Sequence, residues 1–142
     1  MSWIDFSCDA LLAAATVMCS NGRQNVMHLN VVWNTRTRHV VAVLKGHTEA
    51  IISLYFHPFC PQLLMSSGYD GQINLWDCSR NACIKAFKHT QVTNARFSKN
   101  GRSIVFTEMS GEVGFLALGG AHKEVLREQF FNSDFETLAR YS

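Results

Sequence analysis

The chain has 142 residues, which suits one domain. Apolar residues make up 47% and charged residues 17% of it, enough for a packed core and unlike a disordered composition. Thirteen Lys and Arg against eleven Asp and Glu leave a net charge of +2, spread evenly along the chain; with no basic stripe in the sequence, a nucleic-acid surface built on phosphate neutralisation is not expected. At the start, "MSWIDFSCDALLAAATVMC" is apolar, but Asp5 and Asp9 precede the run and no basic segment does. It reads as neither a secretion signal nor a membrane span.

The strand signals are short and repeated. "SWIDFS", "LLAAATV", "LNVVWN" and "VVAVL" come first, then "AIISLYF", "LLMSS", "QINLWD" and "CIKAF", then "VTNARFS", "SIVFTEM" and "EVGFLAL". Each is rich in Val, Ile, Leu, Phe or Trp and is bounded by turn residues. No helical period runs through residues 1–119, so the pattern is all-β. Three tight turns join neighbouring strands at Gly71, Gly101 and Gly111, where glycine takes a positive φ without a steric penalty.

The strands repeat as a unit. Trp33 and Trp76 lie 43 residues apart, and Phe115 takes the same position 39 residues further on. A period of about 40–45 with Gly-His near its start and Trp-Asp near its end is the signature of a WD repeat, one four-stranded antiparallel blade of a β-propeller. Residues 1–44 read as a degenerate blade, 45–87 as a complete one, 88–119 as a second degenerate one, and 120–142 as a C-terminal extension packing on the propeller. The architecture expected is therefore a partial propeller of about three blades plus that short extension. A propeller closes with about four to eight blades, so three would leave apolar flanks. The expectation is a fragment or isoform of a longer chain, or a chain whose remaining blades come from another copy or another protein.

Ser66, His47 and Asp70 are the residue types of a hydrolase. In a WD blade, however, such a Ser, the His of Gly-His, the turn Asp and the strand Trp form one hydrogen-bonded chain, here His47, Ser66, Asp70 and Trp76. No G-x-S-x-G elbow accompanies the serine, so no catalytic residue is assigned and the chain is read as non-enzymatic. Five cysteines, Cys8, Cys19, Cys60, Cys78 and Cys83, make no CxxC pair. They read as free thiols in a reduced, intracellular setting, most of them buried. Neither they nor His57 have zinc-site spacing, and no Gly-rich loop joins a strand to a helix, so no metal or cofactor is expected. His28, His39 and His122 read as isolated and exposed.

Beyond Gly119-Gly120, "HKEVLREQFF" suggests a short helix, and Ser133 with Glu136 resembles a capping box for a second helical turn. Phe130, Phe131, Phe135 and Leu138 are too apolar for a free tail. They are expected to pack on the propeller rim, with Phe131 and Phe135 as candidate partner contacts.

"LKGHTEAIISLYFHPF", "SSGYDGQINLWD", "ARFSKNGRSIVFTEMSGEVGFLALG" and "EQFFNSDFETLAR" together resemble the end of the propeller in the bromodomain-and-WD-repeat family, the group of the pleckstrin-homology-domain-interacting protein. "VWN" before the Gly-His, His57-Pro58-Phe59, and "QFF" followed by Asp134 and Phe135 carry that likeness. The resemblance implies a nuclear, chromatin-associated scaffold with histones or chromatin proteins as partners, and links to transcription, cell shape and the cytoskeleton. It also implies substrate recognition for cullin-4 ubiquitin ligases. Receptors of that class show Trp-Asp-x-Arg, and here "WNTR" has Asn34 for Asp while "WDCSR" places Arg80 one residue late. Arg36 and Arg80 are thus the candidate contacts to the ligase adaptor. The alternative is part of an unrelated cytoplasmic WD-repeat scaffold of RNA processing or trafficking. Neither reading calls for a membrane or for direct nucleic-acid contact.

Overall fold

The structure is a computed structural model that describes residues 4–20, 25–118 and 135–141. Three four-stranded antiparallel sheets follow one another along the chain. The first contains β1 (Ile4–Phe6), β2 (Leu11–Ser20), β3 (Asn25–Asn34) and β4 (His39–His47). The second contains β5 (Ile51–Phe56), β6 (Leu63–Gly68), β7 (Gln72–Asp77) and β8 (Ala82–Lys88). The third contains β9 (Val92–Phe97), β10 (Ser103–Glu108), β11 (Val113–Leu118) and β12 (Phe135–Tyr141). Each sheet is a meander, as expected when short β-forming runs are joined by tight turns. The turns place Gly71 at φ 76°, Gly101 at φ 68° and Gly111 at φ 89°.

Alternation along the strands decides which faces meet. Leu11, Ala13, Val32, Ala42 and Leu44 of the first sheet pack against Leu54, Phe56, Leu64 and Trp76 of the second. The opposite face of the second sheet, with Leu63, Met65, Ile73 and Leu75, packs against Ala95, Ile104, Phe106 and Leu116 of the third. The central sheet is therefore apolar on both faces: β6 is buried along its whole length, and β7 at every position after Gln72.

Two expectations change. A strand stands where a second helical turn was expected: Phe135–Tyr141 pairs antiparallel with Val113–Leu118. Without it the backbone of β11 would be an open edge, and Phe, Thr and Tyr suit a strand that fills it. The described part of the expected extension is thus the fourth strand of the third sheet. Phe135 opens that strand, opposite Leu118; Phe131, the proposed helix over "HKEVLREQFF" and His122 lie outside the described residues.

The second change concerns the position equivalent to tryptophan. Between the third and fourth strands, each sheet has a register shift at the same point: Val32/Trp33, Leu75/Trp76 and Phe115/Leu116. Leu64 pairs with Trp76 as Ile104 pairs with Leu116. The residue in the third sheet that corresponds to Trp76 is therefore Leu116, not Phe115. Leu116 is buried against the second sheet, whereas Phe115 lies on the opposite face and is half-buried.

Candidate functional site

The polar centre of the molecule lies between the first two sheets. His47 ends β4, Ser66 lies on β6, Asp70 in the β6–β7 turn, and Trp76 on β7. The structure brings all four together. Trp76 Nε1–H donates to Ser66 Oγ at 2.8 Å, and Ser66 Oγ lies 2.7 Å from His47 Nε2. His47 Nδ1–H donates to Asp70 Oδ2 at 2.9 Å. Asp70 also accepts the backbone N–H of Thr48 at 2.9 Å and of Gln72 at 3.0 Å. One carboxylate thus holds the turn and the imidazole tautomer together. Gly46 is required beside His47 because a Cβ there would stand 2.8 Å from the Trp76 ring.

Two residues that the motif does not include complete the site. Asn30 of the first sheet donates to Ser66 Oγ at 3.1 Å, and Asn74 Nδ2 lies 3.4 Å from His47 Nε2. Their signal in the sequence is weak, since asparagines inside strands look like turn residues until the sheets are stacked. With N–H donors from Trp76 and Asn30, the Ser66 hydroxyl spends its own hydrogen on His47 Nε2. Burial pushes the His47 pKa down against the opposing pull of Asp70, so the imidazole is a neutral acceptor towards Ser66. Burial raises the Asp70 pKa, but the Gln72 N–H, the His47 ring and the Thr48 N–H together bring it below the ordinary value. The order Ser–His–Asp matches a hydrolase, yet Ser66 is 0% exposed and both of its acceptor sites are taken. It offers a substrate neither a lone pair nor a surface.

The flanking sheets lack this device. Pairing matches Ser66 with Ala14 in the first sheet and with Phe106 in the third. Phe106 packs on Gly114, and His89 packs on the Phe106 ring at 4.3 Å between centroids. A ring contact thus stands where the serine would be in the third sheet, while His89 Nδ1 keeps an acidic neighbour, Glu108 Oε1, at 3.6 Å.

A second histidine joins the last two sheets. His57 Nδ1 accepts the N–H groups of Phe59 and Cys60 at 3.1 and 3.0 Å, and Nε2–H donates to Gly101 O at 2.8 Å. Both ring nitrogens are used within the protein, and burial pushes the His57 pKa down. The Cys78 thiol is buried, and its pKa is pushed up to about 12 by that burial and the Asp77 charge, so it is an inert thiol. Cys60 is buried too, whereas Cys8, Cys19 and Cys83 are exposed, against the expectation of mostly buried thiols. His39 is exposed, but His28 is half-buried, because it pairs with His47 across β3 and β4.

The turn arginines lie at the surface. Arg36 Nη2 is 3.4 Å from Asp9 Oδ1 with its side chain 78% exposed, and Arg80 Nε is 3.7 Å from Asp77 Oδ2 at 82%. Asn34 does the turn work of an aspartate: its Oδ1 accepts the N–H groups of Arg36 and Thr37 at 2.9 and 3.1 Å. Asp77 Oδ1 likewise accepts from Ser79 N–H at 2.9 Å and Ser79 Oγ–H at 2.6 Å.

Residues 38–77 match the family described as "WD domain, G-beta repeat". A bromodomain and WD repeat-containing protein of Dictyostelium discoideum is 31% identical over 121 residues, which cover 77% of this chain and 6% of that protein. Pre-mRNA-processing factor 19 of Mus musculus is 33% identical over 58 residues, covering 41% of this chain and 11% of that protein. The chain therefore spans only a small part of these relatives. Among solved structures, the β-propeller domain of Myceliophteria thermophila Cps50 (Swd1) superposes with a TM-score of 0.70 at 17% identity, covering 97% of this chain and 37% of that one. The chain is a WD-repeat protein with the fold of a partial WD40 β-propeller.

Proposed function

We propose that this chain is the closing part of the propeller of a bromodomain-and-WD-repeat protein, of the pleckstrin-homology-domain-interacting group, and that it acts there as a non-enzymatic scaffold on chromatin. The observation that carries the reading is the match to the Dictyostelium discoideum protein. It runs over 77% of the chain, well beyond the single repeat at residues 38–77. The closed Ser66–His47–Asp70 chain supports a structural use of residues that could otherwise suggest hydrolysis. On this reading the protein is nuclear, it has histones or other chromatin proteins as partners, and it serves transcription and the organisation of cell shape. Arg36 and Arg80, both exposed on turns, are its candidate contacts to a cullin-4 ligase adaptor.

A second reading, a scaffold of RNA processing, draws on the shorter match to pre-mRNA-processing factor 19. The deciding experiment is gentle immunoprecipitation of the endogenous protein followed by mass spectrometry. Histones and bromodomain peptides are expected. Splicing proteins without histones would overturn the chromatin reading in favour of the second.

A further inference from the structure

The fold divides the charges of the described turns unevenly between the two ends of the sheets. In a meander, alternate turns go to opposite ends of the sheet. Residues 7–10, 35–38, 57–62, 78–81 and 98–102 make up the described turns at one end, and they carry Arg36, Arg38, Arg80, Lys99 and Arg102 against a single carboxylate, Asp9, with Asp77 just before the fourth of them. At the other end, the described turns 48–50, 69–71, 89–91 and 109–112 carry Glu49, Asp70 and Glu112, with the exposed Lys45 and Lys88 on the strands that lead into two of them.

The basic end is one surface. Thr35 N–H donates to Ala10 O at 2.7 Å, and Cys78 N–H donates to Gln62 O at 2.8 Å, which ties the paired turns of the first two sheets. Asn81 Oδ1 accepts the Val43 N–H at 3.1 Å, and His57 Nε2–H reaches Gly101 O at 2.8 Å, which joins that end across all three sheets. Phe59 is 63% exposed there, beside the Gly101 turn that carries Lys99 and Arg102.

We infer that this end, with the cations Arg36, Arg38, Arg80, Lys99 and Arg102 and the exposed Phe59, is a docking surface for an acidic, leucine-bearing segment of a partner protein. An exposed aromatic on the same end as several arginines is the composition of a protein interface. The cations sit on turns of three different sheets, so they suit carboxylates distributed over a partner's surface. A nucleic-acid surface gains affinity with each phosphate neutralised and calls for a basic patch or stripe, whereas two of these five cations already face carboxylates, Arg36 on Asp9 and Arg80 on Asp77. The surface extends well beyond the two arginines at the repeat-motif positions. The inference rests on the reading of the chain as an interaction module, but on no particular partner.

The test uses the full chain and a short synthetic peptide of glutamate interspersed with leucine, followed by fluorescence anisotropy, with single-stranded and duplex DNA oligonucleotides as competitors. The double variant Arg80→Glu/Lys99→Glu should weaken peptide binding about tenfold or more, and added salt should weaken binding of the unaltered chain. Phe59→Ala should weaken it by a similar factor without changing the salt dependence. Glu49→Gln/Glu112→Gln, at the other end, should leave it unchanged. Thermal melting establishes that each variant is folded, and the charge variants carry the test if Phe59→Ala does not fold. Undiminished binding by the folded Arg80→Glu/Lys99→Glu chain would overturn the inference. So would displacement of the peptide by DNA at equal or lower concentration, which would make the end a phosphate surface. Neither result touches the chromatin reading, which is decided by the partners of the endogenous protein.

Discussion

Ser66 is the side chain on which most of the polar centre depends. Removing its hydroxyl strands two buried donors, the Trp76 indole N–H and the Asn30 amide, and leaves His47 Nε2 with only the 3.4 Å contact to Asn74 Nδ2. An unmade buried hydrogen bond costs about 1–3 kcal/mol, so Ser66→Ala should destabilise the chain by at least that much, read from urea or thermal unfolding. A variant as stable as the parent would show that the polar chain does not hold the two sheets. Protonation probes the same contacts. His47 and His57 both have pKa values below the ordinary 6.5. As pH falls through 6.5 the unfolded chain takes up protons on these rings while the folded chain resists. Stability is therefore greatest above that value and declines below it. Asp70, held low, adds a contribution that is present above 3.8 and lost only at more acid pH. Unfolding free energies from about pH 7.5 to 5.5 should fall, and His57→Gln should flatten the profile. A level profile in the parent chain would contradict the neutral-imidazole assignment.

The elements owe their geometry to a few turn positions that are not equivalent to one another. Gly71, Gly101 and Gly111 all have positive φ, so alanine at any of them meets the same backbone penalty, about 1 kcal/mol. Their surroundings then separate them. A Cβ at Gly71 would stand 2.1 Å from the His89 carbonyl oxygen, and one at Gly101 2.4 Å from the His57 ring, whereas one at Gly111 meets nothing within 4 Å. Gly71→Ala should lower the melting temperature most, because backbone cannot swing aside. Gly101→Ala should follow, with loss of the His57 clamp, and Gly111→Ala should cost least. Equal losses at all three would mean that φ alone sets the cost. These glycines are legible in the sequence because Asp-Gly, Asn-Gly and Ser-Gly between strand-forming runs dictate turns. The tetrad is legible for a related reason: its four residues fall at fixed places within one repeat. Leu116 and β12 are not. A register shift before Leu116 moves the core position one residue past the aromatic that sequence alone would choose. β12 is separated from β11 by residues 119–134, and nothing local in Phe135–Tyr141 reveals an open sheet edge waiting to be paired.

Among the described residues, two apolar sheet faces have no partner sheet. Beyond the core shared with the second sheet, the first turns Leu12, Val31, Trp33 and Val43 outward, and the third turns Val105, Val113 and Phe115 outward, all only half-buried. Trp33 occupies the same register position as Trp76, which is 1% exposed because another sheet covers it. A sheet face of this kind is stable only against another layer, and exposed apolar area on this scale drives association. The 142-residue chain in isolation should therefore self-associate, and its sedimentation should exceed that of a 16.0 kDa particle increasingly with concentration. Trp33→Lys and Val105→Lys place a charge on each of these faces and should shift the distribution towards the monomer while leaving the central sheet's melting nearly unchanged, since both alternate with the core residues that face it. A single 16.0 kDa species at every concentration, indifferent to both substitutions, would mean that these faces are covered within the chain itself, and residues outside the described strands would then be the place to look for the cover.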